Sequence, residues 1–346
     1  METIPPQYHN IPHTQPPLVK QNPGPSNQPT VQPDIPTINL NNIIANIVSA
    51  LKPSAPSDEV IVTEFELSVL CELAGKVFLR QPSLLELNPA DSGLTVVGDL
   101  HGHLNDLVAV FRKEGGPDVH NYLFLGNYVG TGRHQVELIC LLLAYKLKYP
   151  ENFFLLRGCH ENRDVNNADG FWHRCRELYG TDAAWAKFNL CFDTMPLAAV
   201  LGDRIFCVHS GISPHLEAMV QLRNIQRPMS VPPNGLVFDL LTAMPTVATP
   251  GWNTNQQSTA MAFGNGVWKK FFRSNDIEFM IRSHGTLGTG FALTEDKRIL
   301  SIFSATDYEA RDNNGSFVHI SPTLTVQPYT FNSHAIFKQE RIETKE

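Results

Sequence analysis

The chain has 346 residues, of which 42% are hydrophobic and 18% charged, with a formal net charge of −7 and a sequence pI near 6.0. This composition is typical of a soluble globular protein, and a net acidic chain is a poor ligand for the phosphate backbone of nucleic acids. The sequence contains no apolar run of the roughly 18 residues that a transmembrane helix needs, so we expect no membrane partner.

Residues 1–37 differ in composition from the rest of the chain. They hold ten of the 25 prolines, together with Gln, Asn and Thr and very little charge. Such a segment buries too little apolar surface to fold, so we predict a disordered tail with polyproline II character. Pro5–Tyr8 forms a PPxY pattern of the kind that WW domains bind, although chance occurrence in a proline-rich tail also explains it.

The first residues and the cysteines bear on the cellular location of the chain. The first residues lack the basic and apolar segments of a secretory signal, and Glu2 excludes N-myristoylation. The six cysteines lie far apart, without a CxxC pair, and most sit in apolar runs. We therefore predict buried free thiols for five of them, and a cytoplasmic and/or nuclear location.

From residue 38 the pattern predicts one domain that ends near 330, followed by a short polar tail at 331–346. Helical apolar spacing covers 41–52 and 63–81, and the second of these opens with a capping box at Thr63 and Glu66. Three strand-then-helix units follow, which predicts an α/β fold with a parallel region. After about residue 196, closely spaced strands suggest a second, mixed sheet stacked on the first.

Polar residues with metal-binding side chains follow the predicted strands. Each lies in a glycine-flanked loop, and packing needs alone do not explain five such loops in one chain. Because ligand sites in open α/β sheets lie beyond the carboxyl ends of the strands, we expect these side chains to meet at one site suited to a divalent transition metal. The residues are Asp99, His101, Asn127, Cys159, His160, His209 and His284.

The order of these motifs, GDLHG, GNYVG, RGCHE, VHSGISP and RSHG, resembles the PPP family of metal-dependent serine/threonine protein phosphatases, and its type-1 branch most of all. The resemblance covers about residues 40–330. It implies a calcineurin-like metallophosphoesterase fold, with two mixed β-sheets in a sandwich flanked by helices. It also implies two divalent metals, manganese or iron/zinc, about 3.5–4 Å apart, that share the hydroxide attacking phosphorus.

Six positions match the family's functional residues. Two match ligands of the first metal and two match ligands of the second. One histidine matches the general acid that protonates the leaving alkoxide, and one tyrosine matches a residue that lines the substrate site. In that order they are Asp99 and His101, His209 and His284, His160, and Tyr308.

Five other positions depart from the family pattern. Asn127 replaces the aspartate that bridges the two metals, and Gly130 replaces the carboxylate that orients the general acid. Thr131 and Gln257 replace two phosphate-clamping arginines. Cys159 replaces an asparagine ligand of the second metal. These losses predict strongly impaired hydrolysis, since one lost transition-state donor typically costs ~10²–10³ in rate.

Cys159 has two interpretations. With His209 and His284 it would give one thiolate and two imidazoles, a known zinc arrangement that leaves a position open. Alternatively, it is a small apolar thiol in a site that no longer works. We therefore expect one metal or none.

The type-1 branch also carries a groove for regulatory peptides of the RVxF kind. The positions that fall on it are all apolar here, and they could equally be ordinary strand residues packed in the core. The acidic flank of such a groove is kept only in part, through Glu278 and Asp203. The groove positions are Ile205, Phe279, Leu293, Leu324 and Val326.

Two hypotheses follow from these observations. In one, the chain is a pseudophosphatase that keeps the fold and binds phosphatase regulatory subunits or phosphoproteins. In the other, it is an active but divergent metal-dependent protein phosphatase with a remodelled site, holding a single zinc. The lost residues favour the first hypothesis. The second is supported by five of the kept residues, namely Asp99, His101, His160, His209 and His284.

Overall fold

The structure, a computed structural model, describes residues 38–51, 60–89, 92–254 and 260–339. The proline-rich segment 1–37 with its Pro5–Tyr8 motif, the substituted position Gln257 and residues 340–346 lie outside the described residues.

The described residues form ten α-helices, and their ends follow the local sequence. The hydroxyl of Thr63 accepts a hydrogen bond from the backbone of Glu66, and the Glu66 carboxylate accepts one from the backbone of Thr63, so the predicted capping box is confirmed. The third helix ends at Gly115, whose φ of 104° favours glycine. The helices are α1 (Leu40–Ser49), α2 (Glu64–Arg80), α3 (Leu104–Glu114), α4 (Gln135–Lys148), α5 (Arg163–Ala168), α6 (Phe171–Tyr179), α7 (Ala183–Phe192), α8 (Met219–Arg223), α9 (Leu236–Thr242) and α10 (Asn265–Ser274).

Fifteen strands occur in the same residues. They are β1 (Leu84–Leu87), β2 (Leu94–Val97), β3 (Asn121–Phe124), β4 (Phe153–Leu155), β5 (Ala198–Leu201), β6 (Ile205–Val208), β7 (Met244–Pro245), β8 (Trp252–Thr254), β9 (Met261–Phe263), β10 (Phe279–Arg282), β11 (Phe291–Leu293), β12 (Ile299–Ile302), β13 (Gly315–Ile320), β14 (Val326–Phe331) and β15 (Phe337–Gln339).

The strands form two six-stranded mixed sheets and a small three-stranded one. The first sheet has the order β15-β14-β13-β2-β3-β4, the second β1-β5-β6-β10-β12-β11, and the small one β7-β9-β8. The predicted parallel region is confirmed, because β2, β3 and β4 run parallel. The predicted grouping of the late strands was wrong: β13 and β14 join the first sheet, where β13 pairs antiparallel with β2. Strand periodicity gives the face that a residue occupies but not the partner strand, so this assignment depends on tertiary contacts.

The two large sheets stack face to face. Their inner faces share one apolar cluster that includes Val96 and Leu123 from the first sheet and Cys207 and Ile281 from the second. A second cluster joins the other face of the first sheet to α1–α4, α6 and α7. Helix α4 is buried along most of its length because it packs between this sheet and the neighbouring helices. The result is the expected sandwich flanked by helices.

Strand pairing continues past the boundary expected at residue 330. Tyr329, Thr330 and Phe331 of β14 pair with β15, and the ring of Phe337 lies 5.5 Å from that of Phe331. The aromatic side chain therefore anchors a segment whose polar composition suggested a tail.

The cysteines agree with the sequence-based prediction. All six are buried and free of disulfides. Within the described ranges, no helix has the length and apolar character needed to cross a membrane.

Candidate metal centre

Five loops, at the ends of β2, β3, β4, β6 and β10, bring their polar side chains into one cluster. The chain of contacts is continuous, with the shortest separations between neighbouring side chains at 3.0–3.8 Å. The structure thus collects at one edge of the sandwich the residues that the motifs suggested. They are Asp99, His101, Asn127, Cys159, His160, His209 and His284.

Asp99 lies at the centre of this cluster and is 1% exposed. Its Oδ1 accepts hydrogen bonds from Ser283 Oγ at 2.5 Å and from the backbone N–H of His284 at 3.3 Å, and its Oδ2 lies 3.3 Å from His101 Nε2. Burial by itself would raise the pKa of Asp99, but the hydrogen bond with His101 and the nearby His209 hold it well below its usual range. Asp99 is therefore a fixed buried anion.

Asn127 adopts a left-handed conformation (φ 55°) directly after β3, which asparagine tolerates better than most residues. Its amide nitrogen donates to Asp99 Oδ2 at 3.0 Å. Its amide oxygen accepts from the backbone N–H of His160 at 2.9 Å and from Cys159 Sγ at 3.3 Å. Both ends of this amide are thus engaged by neighbouring protein groups.

Cys159, His209 and His284 form a compact set of ligand atoms. One ligand atom of each lies within 4.8 Å of the others, and Cys159 Sγ is 3.4 Å from His284 Nδ1. His209 Nδ1 contacts the carbonyl oxygen of Leu125 at 3.0 Å, which makes Nδ1 the protonated nitrogen. His209 Nε2 is buried and without a hydrogen-bond partner in the described structure, so its lone pair is left for a ligand.

Burial sets the protonation of these groups. It lowers the pKa of His209 to about 3 and, with help from the neighbouring Arg282, that of His284 to about 4. It also raises the pKa of the Cys159 thiol, in the same direction as the charge of Asp99. Two neutral imidazoles and a thiol are the result, and metal binding to such a set releases the thiol proton.

His160 lies in a single 3₁₀ turn (Cys159–Glu161) after β4. Its ring meets the ring of His101 edge to face, with the centroids 4.5 Å apart. Burial and the neighbouring His101 lower the pKa of His160 to about 3. Its Nδ1 is 3.4 Å from Asp169 Oδ2, without the alignment of a hydrogen bond. Asp169 follows α5, and the motif comparison gave no sign of it.

The substituted positions Gly130 and Thr131 lie next to His101 and Tyr308. A Cβ atom on Gly130 would lie 2.5 Å from His101 Nδ1, so the imidazole occupies the space of any side chain there. Burial raises the pKa of Tyr308, and the Thr131 hydroxyl beside it acts in the opposite direction. The ring of Tyr308 lies 4.9 Å from that of His101. A hydroxyl pair therefore stands where the family resemblance implies a clamping arginine.

Three buried charged residues shape these loops, and the sequence analysis assigned them no role. Glu161 accepts hydrogen bonds from the backbone N–H groups of Asn127 at 2.8 Å, Tyr128 at 2.9 Å and Gly158 at 3.0 Å. For two of them, Arg157 and Arg282, the signal in the sequence was a charged residue at the end of an apolar run, where burial requires partners.

The other two are arginines. Arg157 is paired with Asp193 at 2.6 Å and donates to the carbonyl oxygen of Glu161 at 3.0 Å. Arg282 donates to the carbonyl oxygens of Ser210 and, at 2.8 Å, of His284. Both arginines therefore hold loops in place, and their guanidinium groups are bound to protein acceptors.

The donor atoms fit one metal better than two. Cys159, His209 and His284 offer a thiol and two imidazoles with an unused lone pair, which suits zinc. Asp99 and His101 remain close together on the other side. Asn127 does not fit a bridging role, because its neutral amide is already hydrogen-bonded at both ends.

The apolar positions assigned to a peptide groove lie along the edge of the cluster between the sheets. Ile205 is 3% exposed and pairs with Phe279, while the other positions are half-buried. Glu278 forms an ion pair with Arg204 at 3.5 Å, and Asp203 lies in the adjoining turn. The five positions are Ile205, Phe279, Leu293, Leu324 and Val326.

Two family models match the sequence. The calcineurin-like phosphoesterase model matches residues 93–285, more than half of the chain. The serine-threonine protein phosphatase N-terminal domain model matches residues 40–88.

Solved structures of other phosphatases have similar folds. A protein serine/threonine phosphatase from Saccharomyces cerevisiae, described as similar to human phosphatase PP5, is 28% identical, with a TM-score of 0.71 over 82% of this chain and 92% of that one. A cold-active protein-tyrosine phosphatase of the psychrophile Shewanella sp. is 9% identical, with a TM-score of 0.50 over 75% of this chain and 83% of that one. The second likeness concerns the fold alone.

Proposed function

This chain belongs to the calcineurin-like phosphoesterase family and resembles its serine/threonine protein phosphatases, and from that premise we propose that it is a pseudophosphatase. It keeps the phosphatase scaffold, hydrolyses phosphoserine and phosphothreonine very slowly or not at all, and acts by binding phosphatase regulators or phosphoproteins. It holds one zinc ion in place of a metal pair.

The observation that carries this proposal is the hydrogen bonding of the Asn127 side-chain amide. A bridging ligand must offer negative oxygens to two cations, but this amide is neutral and directs its nitrogen at Asp99 Oδ2 at 3.0 Å. Its oxygen accepts hydrogen bonds from the backbone N–H of His160 and from the thiol of Cys159. Two dications about 3.5–4 Å apart need the missing charge to offset their repulsion.

The surroundings of the reacting phosphate support the same conclusion. Thr131 lies beside Tyr308, and a hydroxyl lacks both the charge and the paired donors of an arginine. Arg157 and Arg282, at the same strand ends, are bound to protein groups and cannot replace it. Transition-state charge on the phosphoryl oxygens would therefore meet few donors.

Cys159, His209 and His284 would hold the zinc ion. Zinc bound there would supply a Lewis acid with an open position. The residues of the chain prepare the ligands for the ion. The carbonyl oxygen of Leu125 fixes the tautomer of His209, and burial keeps both imidazoles neutral. Cys159→Ala should therefore remove bound zinc from this site.

For the partner we favour an extended apolar peptide of the RVxF kind. Strand β11 is at an edge of the second sheet, and half-buried Phe279 and Leu293 pack against the margin of the apolar cluster between the sheets. A fluorescent RVxF peptide should bind with saturable anisotropy, and Phe279→Ala should weaken it. Phe65→Ala, an exposed phenylalanine on α2, is the matched control.

Hydrolysis of a phosphoserine protein tests the catalytic part of the proposal. The full-length protein is assayed with manganese and with zinc, against its own His209→Ala variant. We expect equal, near-background rates from the two folded proteins. Turnover well above the His209→Ala variant would overturn the pseudophosphatase assignment.

One observation favours the second candidate function, a slow divergent phosphatase. Asp169 Oδ2 lies 3.4 Å from His160 Nδ1 and supplies a carboxylate beside the general acid, which Gly130 cannot. In this case Asp169→Asn lowers the rate and shifts its pH profile. Asp164→Asn, on α5, leaves both unchanged.

A further inference from the structure

A second group of metal-binding side chains lies at the other end of the first sheet. Glu114 is the last residue of α3, His120 immediately precedes β3, and His319 lies on β13. His319 pairs with Thr95, near the start of β2, whereas the candidate metal centre follows the opposite ends of β2 and β3. The two groups are therefore separated by the length of these strands.

The side chains of this group are linked by hydrogen bonds and by a ring contact. His319 Nδ1 lies 2.9 Å from Glu114 Oε2. Thr95 Oγ1 bridges Glu114 and His120, because it lies 3.0 Å from Glu114 Oε2 and 2.9 Å from His120 Nε2. The two imidazoles stack with their centroids 5.6 Å apart. One ligand atom from each of Glu114, His120 and His319 lies within 4.8 Å of the others.

We propose that Glu114, His120 and His319 bind a divalent transition metal, zinc being the best match. Two imidazoles and one carboxylate are a recognised zinc set, with ligand distances of about 2.0–2.2 Å and an open fourth position. The ligand atoms lie within 4.8 Å of one another, so binding at these distances would require the two rings to move slightly inward. Thr95 then acts as the outer partner that orients a ligand.

The surroundings of the group suit such an ion. The side chain of Glu114 is 9% exposed and that of His319 is 28% exposed, so the ion has a route from solvent. Burial alone would raise the pKa of Glu114, but hydrogen bonds from His319 and Thr95 lower it, which keeps the carboxylate charged. Burial also lowers the pKa of His120 and leaves a neutral ring.

Gly93 makes room for one of the ligands. A Cβ atom there would lie 2.8 Å from His319 Nε2, and the φ of 77° also favours glycine. The imidazole of His319 thus packs directly on the backbone before β2 and turns its Nδ1 towards Glu114.

An ion at this place would join the end of α3 to β13 and to the start of β3. It would stabilise the folded chain by mass action, whatever happens at the candidate metal centre. Zinc would therefore raise the melting temperature of a protein whose other site is disabled.

The test uses the full-length chain with two ligands of the candidate metal centre removed, Cys159→Ala and His209→Ala. We expect this protein to retain about one zinc after gel filtration, by elemental analysis. Adding His319→Ala should abolish that zinc and the zinc-dependent rise in melting temperature. Adding His173→Ala instead, an exposed histidine of α6, should change neither.

A measurement on the unmodified chain covers the case in which a variant fails to fold. Diethylpyrocarbonate modifies accessible histidines, and peptide mass spectrometry locates the sites. Zinc should slow the modification of His319 and leave that of His173 unchanged. No zinc in the folded Cys159→Ala/His209→Ala protein, or equal modification of His319 with and without zinc, overturns the proposal and leaves a hydrogen-bonded cluster.

Discussion

The amide nitrogen of Asn127 donates a hydrogen bond to Asp99 Oδ2 at 3.0 Å, and this contact joins the two halves of the candidate metal centre. A donor faces an acceptor where the family resemblance implies two carboxylates with cations between them. The contact satisfies Asp99 without a metal. This arrangement stabilises the folded chain at the expense of a bridged pair of ions.

Asn127→Asp should reverse this preference. Two buried carboxylates in contact repel, so the variant should melt at a lower temperature than the parent in EDTA. Manganese should offset the repulsion, and equilibrium dialysis should then find one more bound ion than in the parent protein. Asn224→Asp, at an exposed helix end, is the control and should gain no ion. An unchanged metal count would contradict our explanation of the substitution.

Gly130→Ala should destabilise the chain, because the new Cβ would lie 2.5 Å from His101 Nδ1. Overpacking of this kind costs on the order of 1–3 kcal/mol of unfolding free energy, measured by urea denaturation. The cost should shrink in a His101→Ala background, as a double-mutant cycle detects. Gly288→Ala, where a Cβ meets no atom within 4 Å, provides the comparison. Equal costs in both backgrounds would exclude a direct clash.

Glu161→Gln should weaken the fold and the site together. The carboxylate accepts hydrogen bonds from the backbone N–H groups of Asn127, Tyr128 and Gly158, and an amide presents a donor to some of them. We expect a loss of about 2–4 kcal/mol in unfolding free energy by urea denaturation. The exposed Glu295→Gln should lose almost nothing, and a similarly small loss for Glu161→Gln would refute the supporting role.

Lys146 should give the stability of this chain a distinctive pH dependence. It is fully buried in α4, and burial lowers its pKa to about 7. The unfolded chain keeps this proton up to about pH 10.4, so between these values the unfolded state binds more protons and stability rises with pH. Below about pH 7 the lysine is charged in both states, so this group adds no further pH dependence there.

Lys146→Met removes this group, and the difference between the two proteins isolates it. The stability of the parent relative to the variant should increase from pH 7 to pH 10, by at most about 1.4 kcal/mol per pH unit. Met fills the space but leaves the carbonyls of Pro150 and Phe153 without their donor, which shifts the curve by a constant amount. Parallel stability curves would show that Lys146 titrates normally.

The sequence predicts much of this fold because its signals are local. Thr63 and Glu66 specify the start of α2, and Gly115 ends α3. Apolar runs that are followed by glycine-flanked loops mark where the strands end. Parallel strands bring those ends together, so the cluster around Asp99 follows once the strands are recognised.

The remaining features depend on contacts between distant segments. The pairing of β13 with β2 joins residues more than 200 positions apart, and no local pattern selects that partner. Asp169 reaches His160 only because α5 ends beside the 3₁₀ turn. Glu114, His120 and His319 likewise come together from three separate elements.

The contact between Gly130 and the ring of His101 also constrains how this chain could change over generations. A single replacement that places an acid at position 130 meets the imidazole, which already fills that volume, and therefore costs stability. His101 would first have to adopt another rotamer, and in its present rotamer the ring contacts Asp99 and Tyr308. Restoring a carboxylate at position 130 would therefore require a second change that moves the ring of His101, and either change alone would cost stability.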